Sequence, residues 1–234
     1  MWSMFGRFFF MVYTSLAISG SLATAEAGKI MTVAGPIDVG ELGKTLAHED
    51  VSVDFIGAAE PGYHRWDRSE VIRKVIPYLK ETKKMGYNSF FEFTPAFLDR
   101  DPVLLSILSE QVGVNLITNT EFYGVSENQF IPREMLNATI DELAAIWIRE
   151  FECGIGKTGI RPGFIKIGID RGEGLSEFHA KLVRAVARTH LATGLTIASH
   201  TGPTRVVFEI AEVLAEESVS LESFIWVHAT RDIS

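Results

Sequence analysis

Short apolar runs alternate along the chain with longer segments whose apolar residues recur at helical spacing. The apolar runs predict six strands, at residues 45–55, 89–94, 115–120, 163–170, 196–200 and 223–228. Helices are predicted over 68–85, 102–112, 176–193 and 204–217, with a longer one opening at Pro132 and running to about Phe151. A small hairpin around Gly35-Pro36 is predicted before the first strand. Buried strands in regular alternation with helices are typical of a parallel sheet.

Two parallel architectures compete for this pattern. A doubly wound sheet places a glycine-rich phosphate turn after its first strand, and the residues that follow position 55 lack that spacing. A (β/α) barrel places its chemistry at the carboxyl ends of its strands. Polar residues of ligand type stand at such ends in this chain, so the barrel fits better.

The composition of the chain restricts its domain organisation and the classes of molecule that it can bind. The chain has 234 residues, a net charge of −8 and 47% hydrophobic residues, which suits one large domain. The acidic balance argues against a nucleic-acid partner, because phosphate binding calls for basic patches. Cys153 is the single cysteine, which excludes an intrachain disulfide, and we expect it to be a small buried side chain.

The first 25 residues have the form of a cleaved signal peptide. Arg7 provides a positive start, an apolar core follows, and Ala23-Thr24-Ala25 matches a small-x-small cleavage site. A membrane anchor is the rival interpretation, but the apolar run is too short for a good spanning helix. We therefore predict an exported domain over 26–234, periplasmic or extracellular, with no stable membrane span after signal removal.

Histidine and carboxylate side chains gather at predicted strand ends. His48 and Asp50 are two residues apart, so on a strand they would point to the same face. His200 and His228 each end a later strand. A single such histidine is more often structural, but the strand ends of a barrel converge on one mouth. Histidine and carboxylate together are suitable ligands for zinc and related metals.

Lys166 stands within an apolar strand, so its side chain is expected to point into the barrel. A buried lysine is costly unless it is paired or neutralised. One interpretation is a salt bridge to Glu92 or Asp50 across the barrel. The other is a carbamate formed with carbon dioxide, which would bridge two metal ions. Chemistry alone leaves both open.

Several blocks of the sequence, in order, resemble the phosphotriesterase family of the amidohydrolase superfamily. They lie at residues 33–37, 42–49, 154–166 and 192–201, with His228 after them. The resemblance implies a TIM-type (β/α)8 barrel with two divalent metal ions, most often zinc. It implies that His48 and position 50 bind one metal, that carboxylated Lys166 bridges, and that His200 and His228 bind the other. A bridging hydroxide would then attack a phosphoester, lactone or related ester bond of a small-molecule substrate.

The chain departs from the family pattern in two places. Asp50 stands where the family has a histidine, and this harder ligand makes manganese or iron more plausible beside zinc. The family also has an aspartate after its eighth strand, whereas Ser234 follows His228 by six residues. We therefore expect a barrel truncated after strand 6. Its exposed edges favour a fragment of a longer protein. The alternatives are pairing of these edges with another chain, as in a homodimer, and a decayed, poorly folding relative of the family.

The leading hypothesis is a metal-dependent hydrolase. Tyr123 and Arg171, just past strand ends, are weaker candidates for positioning the substrate, with solvated loop residues as the alternative interpretation. The second hypothesis is a non-catalytic metal-binding or interaction domain that has lost turnover with the missing strands.

Overall fold

The computed structural model describes residues 28–60 and 62–229. The predicted signal peptide lies outside these residues, so both it and the export it implies stay predictions. Within the described part of the chain, no helix has the length and apolar character needed to cross a membrane.

The fold begins with the predicted hairpin, in which β1 (Lys29–Thr32) pairs antiparallel with β2 (Gly35–Asp38). It is joined to a later strand by the amide of Val33, which donates to the Leu116 carbonyl at 2.9 Å. The remaining strands are β3 (Lys44–Glu49), β4 (Tyr87–Glu92), β5 (Asn115–Ile117), β6 (Asn119–Thr120), β7 (Tyr123–Gly124), β8 (Phe164–Ile169), β9 (Ile197–Thr201) and β10 (Phe224–Val227). The helices are α1 (Arg68–Lys84), α2 (Pro102–Val112), α3 (Arg133–Leu136), α4 (Ile140–Cys153), α5 (Glu177–Thr193) and α6 (Thr204–Glu216).

The strands after the hairpin are parallel and lie side by side in chain order. One sheet has the order β3-β4-β5, and the other runs from β6 through β8 and β9 to β10, with β7 also paired to β8. Only Thr118 separates β5 from β6. The fold is therefore α/β with parallel sheets, and its strand order is compatible with a TIM-type barrel.

The main core lies between the second sheet and the helices that cover it. Strand β8 is buried along its whole length, as expected for a parallel strand covered on both faces. Helix α4 contributes Leu143, Trp147 and Phe151 to this core. A second cluster lies between α1, α2 and the strands β4 and β5.

Strand β3 ends earlier than the apolar pattern predicted. The sequence favoured a strand to residue 55, whereas β3 ends at Glu49. Its pairing with β4 is irregular between Leu46 and Glu49. Beyond it, the amide of Val51 binds the Glu92 carboxylate at 3.2 Å instead of a strand carbonyl. Residues 51–60 therefore form an irregular loop.

The long helix predicted from Pro132 is two helices. Thr139 interrupts it and forms a capping box with Glu142, which starts α4 at Ile140. The prediction of a buried Cys153 is also wrong. This cysteine is the last residue of α4 and is exposed, because the face that packs inward carries Trp147 and Phe151.

Candidate metal site

Three histidines from distant parts of the chain meet at the carboxyl ends of the strands. His48 lies near the end of β3, His200 lies in β9, and His228 directly follows β10. The ring centroids of His48 and His228 are 4.7 Å apart, and those of His200 and His228 are 4.8 Å apart. Because His48 and His228 belong to the first and last strands of the parallel series, this contact shows that the sheets curve towards each other. The predicted convergence of these three side chains is present.

Burial keeps two of these rings neutral. It lowers the pKa of His48 and of His200 to about 4, and the positive charge of Lys166 adds to the effect. At neutral pH both imidazoles therefore keep a lone pair for a metal ion. Among the described residues, His48 Nε2 is a buried atom with no hydrogen-bond partner, as expected of a nitrogen kept for a ligand.

Lys166 lies inside the fold, as predicted, with 4% of its surface exposed. Its Nζ donates to the Phe93 carbonyl at 2.9 Å. The predicted salt bridge to Glu92 or Asp50 is not present among the described residues, although both carboxylates act on Lys166 at longer range. Burial outweighs their attraction and lowers the pKa of Lys166 to about 8.

Asp50 lies just beyond the end of β3. Because β3 ends at Glu49, the same-face rule for strands does not apply to it. Asp50 is exposed and lines a cavity between β3 and α1, and the Thr94 hydroxyl lies 3.5 Å from its Oδ1. It still interacts electrostatically with both His48 and Lys166. It therefore stands beside the histidine cluster, on its α1 side.

Tyr123 packs against Lys166 and His200 and is not a solvated loop residue. It is buried, and its ring centroid lies 4.8 Å from Lys166 Nζ and 5.6 Å from the His200 ring. Burial raises the pKa of its hydroxyl, so Tyr123 stays protonated at neutral pH. Gly168 makes this position possible, because a Cβ there would lie 2.2 Å from the tyrosine ring.

Replacing Gly168 by alanine is therefore expected to displace the Tyr123 ring and to lower the free energy of unfolding by about 1–3 kcal/mol. Urea unfolding of the two proteins measures the difference. Gly40→Ala is the matched control, since an added methyl group there meets nothing within 4 Å. Equal stability of Gly168→Ala and the parent protein would contradict the close Tyr123 packing.

Glu121 is a residue of this region that the sequence did not single out. Strand β6 pairs Thr120 with Ile165, and β7 pairs Tyr123 with Gly168, so the register is unchanged across the interruption. Glu121 consequently lies level with Lys166. It is fully buried, with a positive φ of 116°, and neither carboxylate oxygen has a hydrogen-bond partner of good geometry among the described residues.

The charge of Glu121 is poorly compensated. Burial raises its pKa well above the usual range, although the nearby amide of Phe122 and the charges of Lys166 and Arg100 act in the opposite direction. The sequence contained one signal of this, an acidic residue directly after an apolar strand. That signal is weak, because such residues are usually exposed.

The histidine cluster meets some of the requirements of a metal site. The donor types and the unpartnered His48 Nε2 suit one. Within residues 28–60 and 62–229, however, no group of three or more His, Cys, Asp or Glu side chains is arranged to hold a metal ion. Lys166 adjoins the same histidines and acts on His48 and His200 through its charge.

The chain belongs to the phosphotriesterase family, whose family model matches residues 28–234. It is 28% identical to a phosphotriesterase homology protein of Mycobacterium tuberculosis, over 86% of this chain and 63% of that protein. It is 27% identical to an aryldialkylphosphatase of Saccharolobus solfataricus, over 78% of this chain and 57% of the relative.

A third similar protein is an N-acetyltaurine hydrolase of Xenopus tropicalis. The two are 26% identical, over 88% of this chain and 66% of the relative. The chain thus spans 57–66% of the length of these three relatives. The relatives named for an activity are hydrolytic enzymes, which agrees with the class expected from the sequence.

Proposed function

We propose that this chain is a metal-dependent hydrolase that cleaves ester bonds of small molecules. The observation that carries the proposal is the meeting of His48, His200 and His228 at the strand ends. Membership of the phosphotriesterase family supports it independently. Phosphoesters, lactones and related esters are the proposed substrates, and bound metal ions would activate a water molecule to attack them.

The proposed ligands divide between two metal ions. His48 and Asp50 would hold one, His200 and His228 would hold the other, and Lys166, as a carbamate, would serve as a ligand to both. Divalent ions at such a site lower the pKa of a water molecule and polarise the scissile group. Zinc suits the histidines, and the oxygen of Asp50 leaves manganese or iron open.

The environment of Lys166 favours carbamate formation. The lysine nitrogen would attack the carbon of carbon dioxide. As the N–C bond forms, one C=O π bond opens and its electron pair moves to oxygen, and the nitrogen loses a proton to solvent, which leaves an anionic carbamate. Only the neutral amine can react in this way. Since the pKa of Lys166 is lowered to about 8, a useful fraction of the amine is neutral near pH 8.

Phe93 and Tyr123, which surround Lys166, would orient the reacting groups and shield them from water. The Phe93 carbonyl accepts from Lys166 and orients its side chain. Tyr123 packs against both Lys166 and His200, which shields the lysine from water. Its hydroxyl stays protonated, so it can donate a hydrogen bond to a substrate oxygen.

Hydrolysis assays on the purified chain test the proposal. The protein is loaded with zinc or manganese in the presence of bicarbonate and assayed on an aryl ester, a lactone and an aryl phosphotriester. We expect metal-dependent turnover of at least one, abolished by a chelator and restored by the metal. Bound metal without turnover of any of the three would contradict the hydrolase and favour the non-catalytic metal-binding domain.

A further inference from the structure

A cavity of about 310 Å³ lies against the histidine cluster at the carboxyl ends of β7 to β10. His200 and His228 form one part of its wall, and Arg171 forms another. The remaining lining includes Ser126, Asp170 and Thr201. A molecule that fills this cavity therefore touches the proposed metal ligands and the arginine at the same time.

The Arg171 side chain lies directly over Gly202. A Cβ at position 202 would lie 2.5 Å from Arg171 Cγ and 3.3 Å from its Cδ and Nε. The aliphatic part of the arginine thus runs across the glycine backbone, in the space that a side chain would occupy. This contact holds the aliphatic part of Arg171 against the cavity wall, while the residue as a whole is exposed.

Arg171 forms no ion pair with any of the described residues. Asp170 supplies the carboxylate in the cavity lining. Its two oxygens accept from the amides of Ser126 and Glu127 at 2.6 and 2.8 Å. Asp170 therefore holds the 126–128 turn in place and leaves the guanidinium available.

We propose that Arg171 is a specificity-determining residue that binds an anionic group of the substrate, such as a carboxylate, while the ester bond lies at the histidines. A guanidinium presents paired N–H donors that match a carboxylate, and such charged hydrogen bonds are stronger than neutral ones. This inference rests on the proposed hydrolase function. It narrows the substrates to esters that carry a negative charge near the scissile bond.

Two esters of matched chain length test the proposal, the monophenyl ester of glutaric acid and phenyl pentanoate. We expect the parent protein to prefer the charged ester. Arg171→Met should lower kcat/KM for that ester about 10- to 100-fold, mainly through KM, and change the neutral ester less than about threefold. Arg171→Lys keeps the charge without the paired donors. Its kcat/KM for the charged ester should therefore lie between the values of the parent protein and of Arg171→Met.

Two further variants complete the design. Gly202→Ala should displace the Arg171 side chain and, like Arg171→Met, lower kcat/KM selectively for the charged ester. Arg73→Met removes an arginine from the exposed side of α1 and should change neither ester. Isothermal titration with glutarate, at low salt, measures binding without turnover, and Arg171→Met should weaken it by a similar factor.

The outcomes separate the two proposals. If both esters are hydrolysed and Arg171→Met leaves their ratio unchanged, the arginine assignment is wrong and the hydrolase stands. If neither ester is hydrolysed but glutarate binds through Arg171, the anion site stands and the hydrolase is contradicted. Absence of both turnover and glutarate binding overturns the anion site as well.

Discussion

Replacing Lys166 by methionine is expected to abolish stable metal binding and to lower hydrolytic activity by at least about 10²-fold. In the proposed site the carbamate of Lys166 would be a ligand to both metal ions, and the variant cannot form it. Loss of a residue that merely orients a ligand already costs about 10- to 100-fold in affinity or activity. Metal analysis of the dialysed protein should fall from about two ions per chain to less than one, following the two-metal model.

The same substitution is expected to stabilise the metal-free protein. Burial lowers the pKa of Lys166 from 10.5 to about 8, so the charged amine is disfavoured in the folded state at neutral pH. The parent protein should therefore gain stability as pH rises from about 8 to 10.5, where the unfolded chain still binds the proton that the folded state has lost. Lys166→Met should remove this slope and raise the free energy of unfolding at pH 7 by up to about 3 kcal/mol.

Urea unfolding at pH 7, 8.5 and 10 measures this effect, with Lys80→Met on the exposed face of α1 as the control. A Lys166→Met protein that binds two metal ions and hydrolyses esters normally would overturn the bridging role. A variant that is less stable than the parent at pH 7 would show instead that the lysine is well compensated.

Glycine at position 121 is expected to stabilise the protein by about 1–4 kcal/mol. Two costs are removed, the burial of a carboxylate that has no hydrogen bond of good geometry among the described residues and a φ of 116° that favours glycine. The greater freedom of glycine in the unfolded chain offsets about 0.5–1 kcal/mol of the gain. The substitution also removes the negative charge of Glu121, which favours the charged form of Lys166, and this reduces the gain in stability further.

Three variants divide this effect into its parts. Glu121→Gln keeps the backbone conformation and removes the charge, whereas Glu121→Ala removes the side chain and keeps the unfavourable φ. We expect the free energy of unfolding of Glu121→Gly, measured in urea, to be higher than that of Glu121→Ala by about 1–2 kcal/mol. If every variant proves less stable than the parent, Glu121 is a well-compensated structural carboxylate, and the strain argument fails.

The histidine cluster could be predicted because it depends on two local facts. Each histidine lies at the end of an apolar strand, and the carboxyl ends of parallel strands converge. His48, His200 and His228 needed no further information to be placed together, and their ring contacts confirm that placement. The family blocks in the sequence pointed in the same direction, and the family match confirms the family.

Asp50 and Tyr123 show where such local rules stop. The position of Asp50 depended on the length of β3, and a long-range contact between Val51 and Glu92 ends the regular strand. For Tyr123, the sequence favoured a solvated loop residue over one that positions a substrate. Its burial follows from a glycine in another strand, 45 residues away in the paired register.

The sequence by itself determined the alternation of strands and helices, the parallel sheet, the family and the types of ligand side chain. These properties follow from hydrophobic period and residue chemistry, which are local. Only the tertiary structure decided that Lys166 bonds to a carbonyl and not to a carboxylate, that Glu121 lies level with it, and that Arg171 rests on Gly202. Each of these depends on strand register and on side-chain packing between distant segments, and no local pattern encodes either.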